Sequence, residues 1–332
     1  MIKTAKQQWQ IKCITCPDFA QNIGQDQRGL FIETELNNSD KRYYWLPEQV
    51  DEQGQKQAGA WFPERQVGEN IGRDQYGLYR DVSINKIMQR FRYIQPGCFL
   101  MGSPEGELER ELWDGKETQH QVTLTEGFWL ADTAVTQALY QAVMSENLRR
   151  FKNDLNHPVE QVSWDNVQQF IKKLKTIMPA LHAQLPTEAQ WEYACRAGTL
   201  TPFSFGDNIS LEQVNYDGKG PYAEGKKGKK RNKTVVVKSL LENAWGLYEM
   251  HGNVWEWCTD KHQEDLGDAA TIDPIGGEDG SFRVLRGGSW FSSGGSTRSA
   301  YRRRLQPDER YFRIGFRLVL GHQFQTEKEK GS

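Results

Sequence analysis

The side chains best suited to chemistry lie between Trp290 and Arg313, in the stretch WFSSGGSTRSAYRRRLQPDERYFR. It is enclosed by Arg286-Gly287-Gly288-Ser289 on one side and Gly315-Phe316-Arg317-Leu318 on the other. Small residues, aromatics and arginines are mixed there without the period of a helix or a buried strand. Such a mixture supplies rigid aromatic contacts, adaptable hydroxyls and planar charge, the composition of antibody-like binding surfaces. An ordinary surface loop can have the same composition. Read as a recognition surface, its contact residues are Trp290, Phe291, Ser292, Ser293, Ser296, Arg298, Tyr301, Arg303, Arg304, Leu305, Tyr311, Phe312 and Arg313. Tyr301, Tyr311, Phe312, Arg298, Arg303 and Arg304 would be its anchors; the arginines could instead be paired with Asp308 and Glu309.

Other reactive residue types are scattered. Five cysteines stand at 13, 16, 98, 195 and 258, with Cys13-x-x-Cys16 as the close pair. Zinc would need two more soft ligands at comparable spacing, so reduced structural thiols are the reading. The histidines, at 120, 157, 182, 251, 262 and 322, contain no i, i+4 pair and so offer no helical two-histidine metal set. The basic run Lys226-Lys227-Gly228-Lys229-Lys230-Arg231-Asn232-Lys233 lies among glycines without interleaved aromatics. It reads as a solvated loop rather than a nucleic-acid contact.

The elements that must position these residues follow from composition and pattern. The 332 residues carry 42 Lys plus Arg against 44 Asp plus Glu, a balance that speaks against a global nucleic-acid or membrane-surface binder. Hydrophobic content of 37% with 31 Gly and 11 Trp, and a mean hydropathy of −0.75, predict many loops pinned by aromatic clusters. The N-terminus has no apolar core of signal-peptide length and no run approaches a membrane span, so the expected location is cytoplasmic.

Residues 1–86 read as a small β module, a possible site for a partner protein. Within it Ile23-Gly24-Gln25-Asp26-Gln27-Arg28-Gly29-Leu30-Phe31 is echoed by Ile71-Gly72-Arg73-Asp74-Gln75-Tyr76-Gly77-Leu78-Tyr79, each a turn leading into a strand, unless the match is chance. A second domain, 87–322, opens with two strands around Pro96-Gly97, and 323–332 is a polar tail. Strands are expected at Val122–Leu124, Phe128–Leu130, Arg283–Leu285 and Gly315–Leu320. Helices are expected after Thr136, Ser163 and Thr187, the last through the capping-box signature Thr187-Glu188-Ala189-Gln190 and ended by Gly198. Nearly ninety residues beyond Gly198 look irregular, pinned by Asn253-Val254-Trp255-Glu256-Trp257.

Several segments occur in a fixed order: Phe99-Leu100-Met101-Gly102-Ser103, Thr133 to Thr136, Val162-Ser163-Trp164, Leu185 to Ala194, Gly246-Leu247-Tyr248, Gly252 to Trp257, Arg286 to Ser289 and Gly315-Phe316-Arg317. Together, over roughly residues 90–320, they resemble the formylglycine-generating enzyme (sulfatase-modifying factor) family. The resemblance implies an α+β, C-type-lectin-like domain rich in irregular loops.

It does not carry the catalytic activity with it. Members that oxidise cysteine bind copper(I) through two cysteines placed third and eighth after the RGGS motif, where this chain has Ser292 and Thr297. Hydroxyls are hard ligands that cannot replace thiolates on soft copper. A second branch uses non-haem iron held by histidines on an added helical domain, which has no counterpart here. No copper or iron is therefore expected, and the enzymatic reading, an oxidoreductase of either type, is the alternative.

A third branch resembles this chain more: the variable proteins of diversity-generating retroelements, with RVLRGGSW and GFRLV framing a mixed middle. Adenine mutagenesis turns Asn codons into most residues except Lys, Glu, Gln, Met and Trp. Phe291, Ser292, Ser293, Gly295, Ser296, Tyr301, Arg303, Arg304, Leu305, Tyr311, Phe312 and Arg313 are reachable, whereas Gln306 and Glu309 are not. The function implied is binding of a protein or other macromolecule through about residues 290–313. The family also implies a Ca²⁺ held by oxygens of Glu249, Gly252, Val254 and Glu256, unless Glu256 forms a salt bridge and Asn253 a turn. A second family calcium site, starting at Asn215-Tyr216, would lack its acidic partner near Lys229.

Overall fold

The computed structural model describes strands between residues 22 and 63, and residues 71–320 apart from 111–114, 147, 153 and 278. The Cys13-x-x-Cys16 pair, the side chains of the first β unit and the tail from 323 lie outside the described residues.

Both copies of the repeat fold as hairpins with matching register. Strands β1 (Asn22–Asp26) and β2 (Gly29–Leu36) pair with Asp26 opposite Gly29, and β7 (Ile71–Asp74) and β8 (Gly77–Ile84) pair with Asp74 opposite Gly77. In the second copy Asp74 Oδ1 accepts from Tyr76 N at 2.9 Å, and Gly77 takes a φ of +100°, a conformation that costs glycine little. The first hairpin continues through β3 (Ser39–Leu46) to β6 (Ala60–Pro63) as an antiparallel sheet of order β1-β2-β3-β6. Short strands β4 (Gln49–Val50) and β5 (Lys56–Gln57) pair with each other.

The expected domain boundary at residue 86 falls inside a hairpin, because Ile84 of β8 pairs with Ile87 of β9 (Ile87–Ile94). Residues 71–86 thus belong to the large sheet, whose order is β13-β19-β12-β9-β8-β7. It contains β12 (Phe128–Ala131), β13 (Ala183–Gln184) and the closing strand β19 (Val319–Leu320). β12 is hydrogen-bonded to β9 on one side and β19 on the other, which brings the two ends of the domain together.

All three helices start where their caps predict. Thr136 accepts from Leu139 N before α1 (Gln137–Met144). Ser163 and Asn166 form a capping box at α2 (Trp164–Ile177), and Thr187 and Gln190 do so at α3 (Glu188–Arg196). The left-handed stop of α3 is Ala197, with Gly198 following it. α2 buries Val167, Phe170 and Leu174, each contributing about 1.5–3 kcal/mol by burial. Phe170 stacks on Tyr140 of α1 at 5.5 Å and meets Phe316 edge-on at 5.2 Å, so helices and C-terminal frame share one core.

Two smaller sheets complete the domain. Gln95 and Pro96 separate β9 from β10 (Gly97–Met101), which joins β11 (His120–Leu124) and β15 (Thr271–Ile272) in a different sheet. The other, ordered β17-β16-β14-β18, comprises β14 (Trp255–Lys261), β16 (Arg283–Arg286), β17 (Arg302–Leu305) and β18 (Ile314–Gly315). β14 interrupts the stretch expected to be irregular, and its Trp255 and Trp257 are buried in the core. The architecture is α+β with short elements and long loops. Among the described residues no helix is long and apolar enough to cross a membrane.

Candidate functional site

The segment between the RGGS and GFR motifs is clamped by arginines that do not reach solvent. Arg317 bonds Glu256 through Nε and Nη2 at 2.7 and 2.8 Å. Arg302 bonds Glu188 at 2.6 and 2.9 Å. Arg298 bonds both oxygens of Glu117 at 2.7 and 2.8 Å and Glu107 at 2.6 Å. Arg286 pairs with Glu192 and donates to the carbonyls of Ser299, Ala300 and Tyr301 at 2.7, 2.9 and 2.9 Å. All four guanidiniums are buried, and leaving one such partner unpaired costs about 3–5 kcal/mol.

Backbone bonds pin the segment between these clamps. Trp290 N donates to Asn253 O at 2.9 Å, Gly294 N to Gly220 O at 2.8 Å, Ser299 N to Pro202 O at 2.8 Å and Gln161 N to Tyr311 O at 3.0 Å. At Gly288 the φ is +75° and an added Cβ would lie 2.5 Å from Thr297 Cγ2 and 2.7 Å from Ser296 O, so the loop closes too tightly there for any side chain.

These contacts divide the expected contact residues into two groups. Arg298 is a correction: it is a buried clamp paired with Glu107 and Glu117, neither a surface anchor nor a partner of Asp308 or Glu309. Trp290 is another, 4% exposed and packed against Phe151, Phe291 and Phe312. Tyr301 and Leu305 are half-buried against the main core. Gly295 is buried, and a Cβ there would meet Glu109.

The remaining positions face outward. Phe291 is 45% and Tyr311 38% exposed; Ser293 is exposed, and Ser292, Ser296, Arg303, Arg304, Phe312 and Arg313 are half-buried. The outward aromatics carry cations: Arg313 lies 5.6 Å from the Phe291 ring and 5.4 Å from the Tyr311 ring. Arg303 instead lies 5.6 Å from the ring of the buried Trp255. Arg304 lies 5.0 Å from the Phe282 ring.

Residues outside the segment join this surface. Lys230 sits 3.5 Å over Phe291 and pairs with Asp217 at 2.8 Å, so one member of the basic run is a site residue rather than solvated loop. Arg150 lies 4.4 Å over Phe312, and Phe151 meets Trp290 at 5.7 Å. The signal for the latter pair was an arginine next to an aromatic in an otherwise polar connection.

The positions of the copper-binding cysteines do not fit copper. Thr297 is buried and its hydroxyl donates to Gly294 O at 2.8 Å, while Ser292 Oγ accepts from Ser289 N at 3.1 Å. Nearby His251 donates from Nδ1 to Thr297 O at 2.7 Å and accepts at Nε2 from Ser204 N at 3.1 Å, which assigns its tautomer. Burial pushes its pKa down to about 4, so it is neutral. Burial likewise pushes the adjacent Cys195 thiol up to about 12, far from a reactive thiolate. Among the described residues no three His, Cys, Asp or Glu side chains converge as a metal group.

The calcium residues differ from one another. Glu249 is buried with no side-chain partner on either carboxylate oxygen among the described residues, and burial, only partly offset by the backbone N–H groups of Lys238 and Leu240 and by the Arg317 charge, pushes its pKa up to about 7. That is a carboxylate a cation would suit. Glu256 instead forms the salt bridge with Arg317, and its Oε2 also accepts from Trp191 Nε1 at 2.7 Å, so its charge is already balanced. Asn253 takes a left-handed turn conformation while its Oδ1 accepts from Val235 N at 2.9 Å.

Known proteins share this architecture. A formylglycine-generating enzyme from Streptomyces coelicolor is 34% identical over 173 residues, covering 49% of this chain and 52% of that protein. The mouse formylglycine-generating enzyme is 30% identical over 227 residues, 66% of this chain and 57% of its own. The chain thus spans little more than half the length of these relatives. The solved structure of Treponema denticola variable protein 1 superimposes with a TM-score of 0.63 at 26% identity, covering 73% of this chain and 98% of that one. The model of the sulfatase-modifying factor enzyme 1-like domain matches residues 80–321, and with that match over most of its length the chain belongs to this family.

Proposed function

We propose that this chain is a non-catalytic binding protein that presents the outward residues of about 290–313 to a macromolecular ligand, as a variable protein of a diversity-generating retroelement. One observation carries the reading: the segment is divided between buried arginine clamps, at 286, 298, 302 and 317, and outward aromatics and cations, at 291, 303 and 311–313. A frame fixed by desolvated ion pairs holds its shape while the outward side chains change. The likeness to a variable protein supports this, and the hydroxyls at the copper positions weigh against the oxidase chemistry of the enzymatic relatives. Calcium at Glu249, with the carbonyls of Gly252 and Val254, would be structural.

The test is to randomise two sets of codons and score protease-resistant clones. Randomising 291, 293, 303, 311 and 313 should leave most clones folded, whereas randomising 286, 298, 302 and 317 should leave few. Equal sensitivity of the two sets would remove the distinction between frame and display on which the proposal stands.

A further inference from the structure

The outward surface has a charge of its own that the whole chain, at a net −2, conceals. Arg150, Lys230 and Arg313 gather around Phe291, Tyr311 and Phe312. Arg303 lies 5.6 Å from the Trp255 ring and Trp255 N donates to Arg313 O at 2.8 Å, so the two arginines flank one residue; the Arg303 charge adds to burial in lowering the Arg313 pKa. None of these three guanidiniums forms a salt bridge among the described residues, although the buried Glu160 accepts from the Arg150 and Phe151 N–H groups and its charge acts on that of Arg150. The neighbouring carboxylates are engaged: Asp217 with Lys230 at 2.8 Å, and Glu309 with Tyr311 Oη at 2.8 Å and Gln306 N at 2.9 Å. Asp308 and Arg310 add one exposed charge of each sign.

The way the cations are held narrows the ligand. Single-stranded nucleic acid binds by stacking bases on open aromatic faces beside basic groups. Here Lys230 lies 3.5 Å over Phe291 and Arg150 4.4 Å over Phe312, so ring faces that would take bases carry the protein's own cations. A guanidinium laid on a ring is fixed in orientation while its edge N–H donors point away, the geometry that accepts a carboxylate through two parallel bonds.

Resting on the display reading above, we propose that in this sequence the surface takes a carboxylate-rich protein segment, bound by Arg303, Arg313 and Arg150. The like-charge pair Arg303 and Arg313 would form its centre, since an anion relieves their mutual repulsion as well as bonding each. Lys230, half neutralised by Asp217, would sit at the rim.

The experiment uses the full chain and three fluorescent probes of equal length: poly-glutamate, poly-glutamine and oligothymidylate. Poly-glutamate should bind, weaken as salt rises, and bind more tightly than either other probe. The double variant Arg303→Gln/Arg313→Gln should weaken it by about tenfold or more, with an unchanged thermal unfolding midpoint showing that it folds. Arg150→Gln, on a different loop, should weaken it on its own. Three results overturn the proposal and can be told apart. Absent poly-glutamate binding, with oligothymidylate bound and released by the double variant, would keep the display surface but reject its carboxylate ligand. Poly-glutamate binding indifferent to all these substitutions would place the site elsewhere and reject the display reading too. No binding of any probe rejects the carboxylate ligand as well.

Discussion

Arg302 and Arg303 are chain neighbours on β17 with opposite fates: Arg302 is buried in a two-bond pair with Glu188 at 2.6 and 2.9 Å, while Arg303, on the strand's other face, is half-buried and forms no salt bridge among the described residues, its guanidinium 5.6 Å from the Trp255 ring. The alternation of a strand thus separates a residue that builds the scaffold from one that can meet a ligand. Arg302→Ala leaves the buried Glu188 carboxylate with only the longer 3.5 Å pair to Arg286 and should lower unfolding free energy by about 3–5 kcal/mol. Arg303→Ala should change it by less than about 1 kcal/mol. Urea unfolding of both variants checks this, and equal losses would contradict it.

The same buried region contains Asp260, which accepts from Glu188 N at 2.8 Å. Burial first, then the nearby Glu188 charge, pushes its pKa from the ordinary 3.8 up to about 8. The folded state therefore holds a proton that the unfolded chain releases between those values, and this group's contribution to stability falls as pH rises from about 4 to about 8. Asp260→Asn should flatten that part of the stability profile and make the variant relatively more stable at the alkaline end. Unfolding midpoints across the window decide it; an unchanged slope would show that Asp260 ionises normally.

Copper offers a direct contrast with the enzymatic relatives. With Ser292 and Thr297 in place of thiolates, titration with copper(I) against a chromophoric chelator should leave the chelator complex intact, and no oxygen uptake should follow with a cysteine peptide. Stoichiometric copper capture with oxygen consumption would favour an oxidoreductase.

Calcium should show itself through stability rather than activity. If the buried Glu249 carboxylate holds the ion, free calcium at a hundredfold its dissociation constant stabilises the fold by about 2.7 kcal/mol. Chelation should then lower the unfolding midpoint, and Glu249→Gln should abolish that response. A midpoint indifferent to chelator in the wild type would remove calcium from the account.

Much of this organisation could be read from the residues because its causes are local. Thr136, Ser163 and Thr187 cap helices through bonds spanning three residues, and each repeat encodes its own turn. What was hidden depends on distant partners. Nothing in the sequence around Glu107 and Glu117 points to Arg298, yet they neutralise it from 191 and 181 positions away. Lys230 looked solvated because nothing in its own run shows Phe291 beneath it. The boundary at residue 86 failed similarly, since a shift in composition does not reveal that β8 and β9 share a ladder.

The most direct test of the central claim is the DNA flanking the gene. The account predicts a near-copy of the segment encoding residues 290–313, beside a reverse transcriptase. Adenines should mark the differences at codons for outward positions such as 291, 293, 303, 311 and 313, and none should alter Arg298 or Arg302. No such copy, or differences concentrated on those buried arginines, would contradict a diversified display surface.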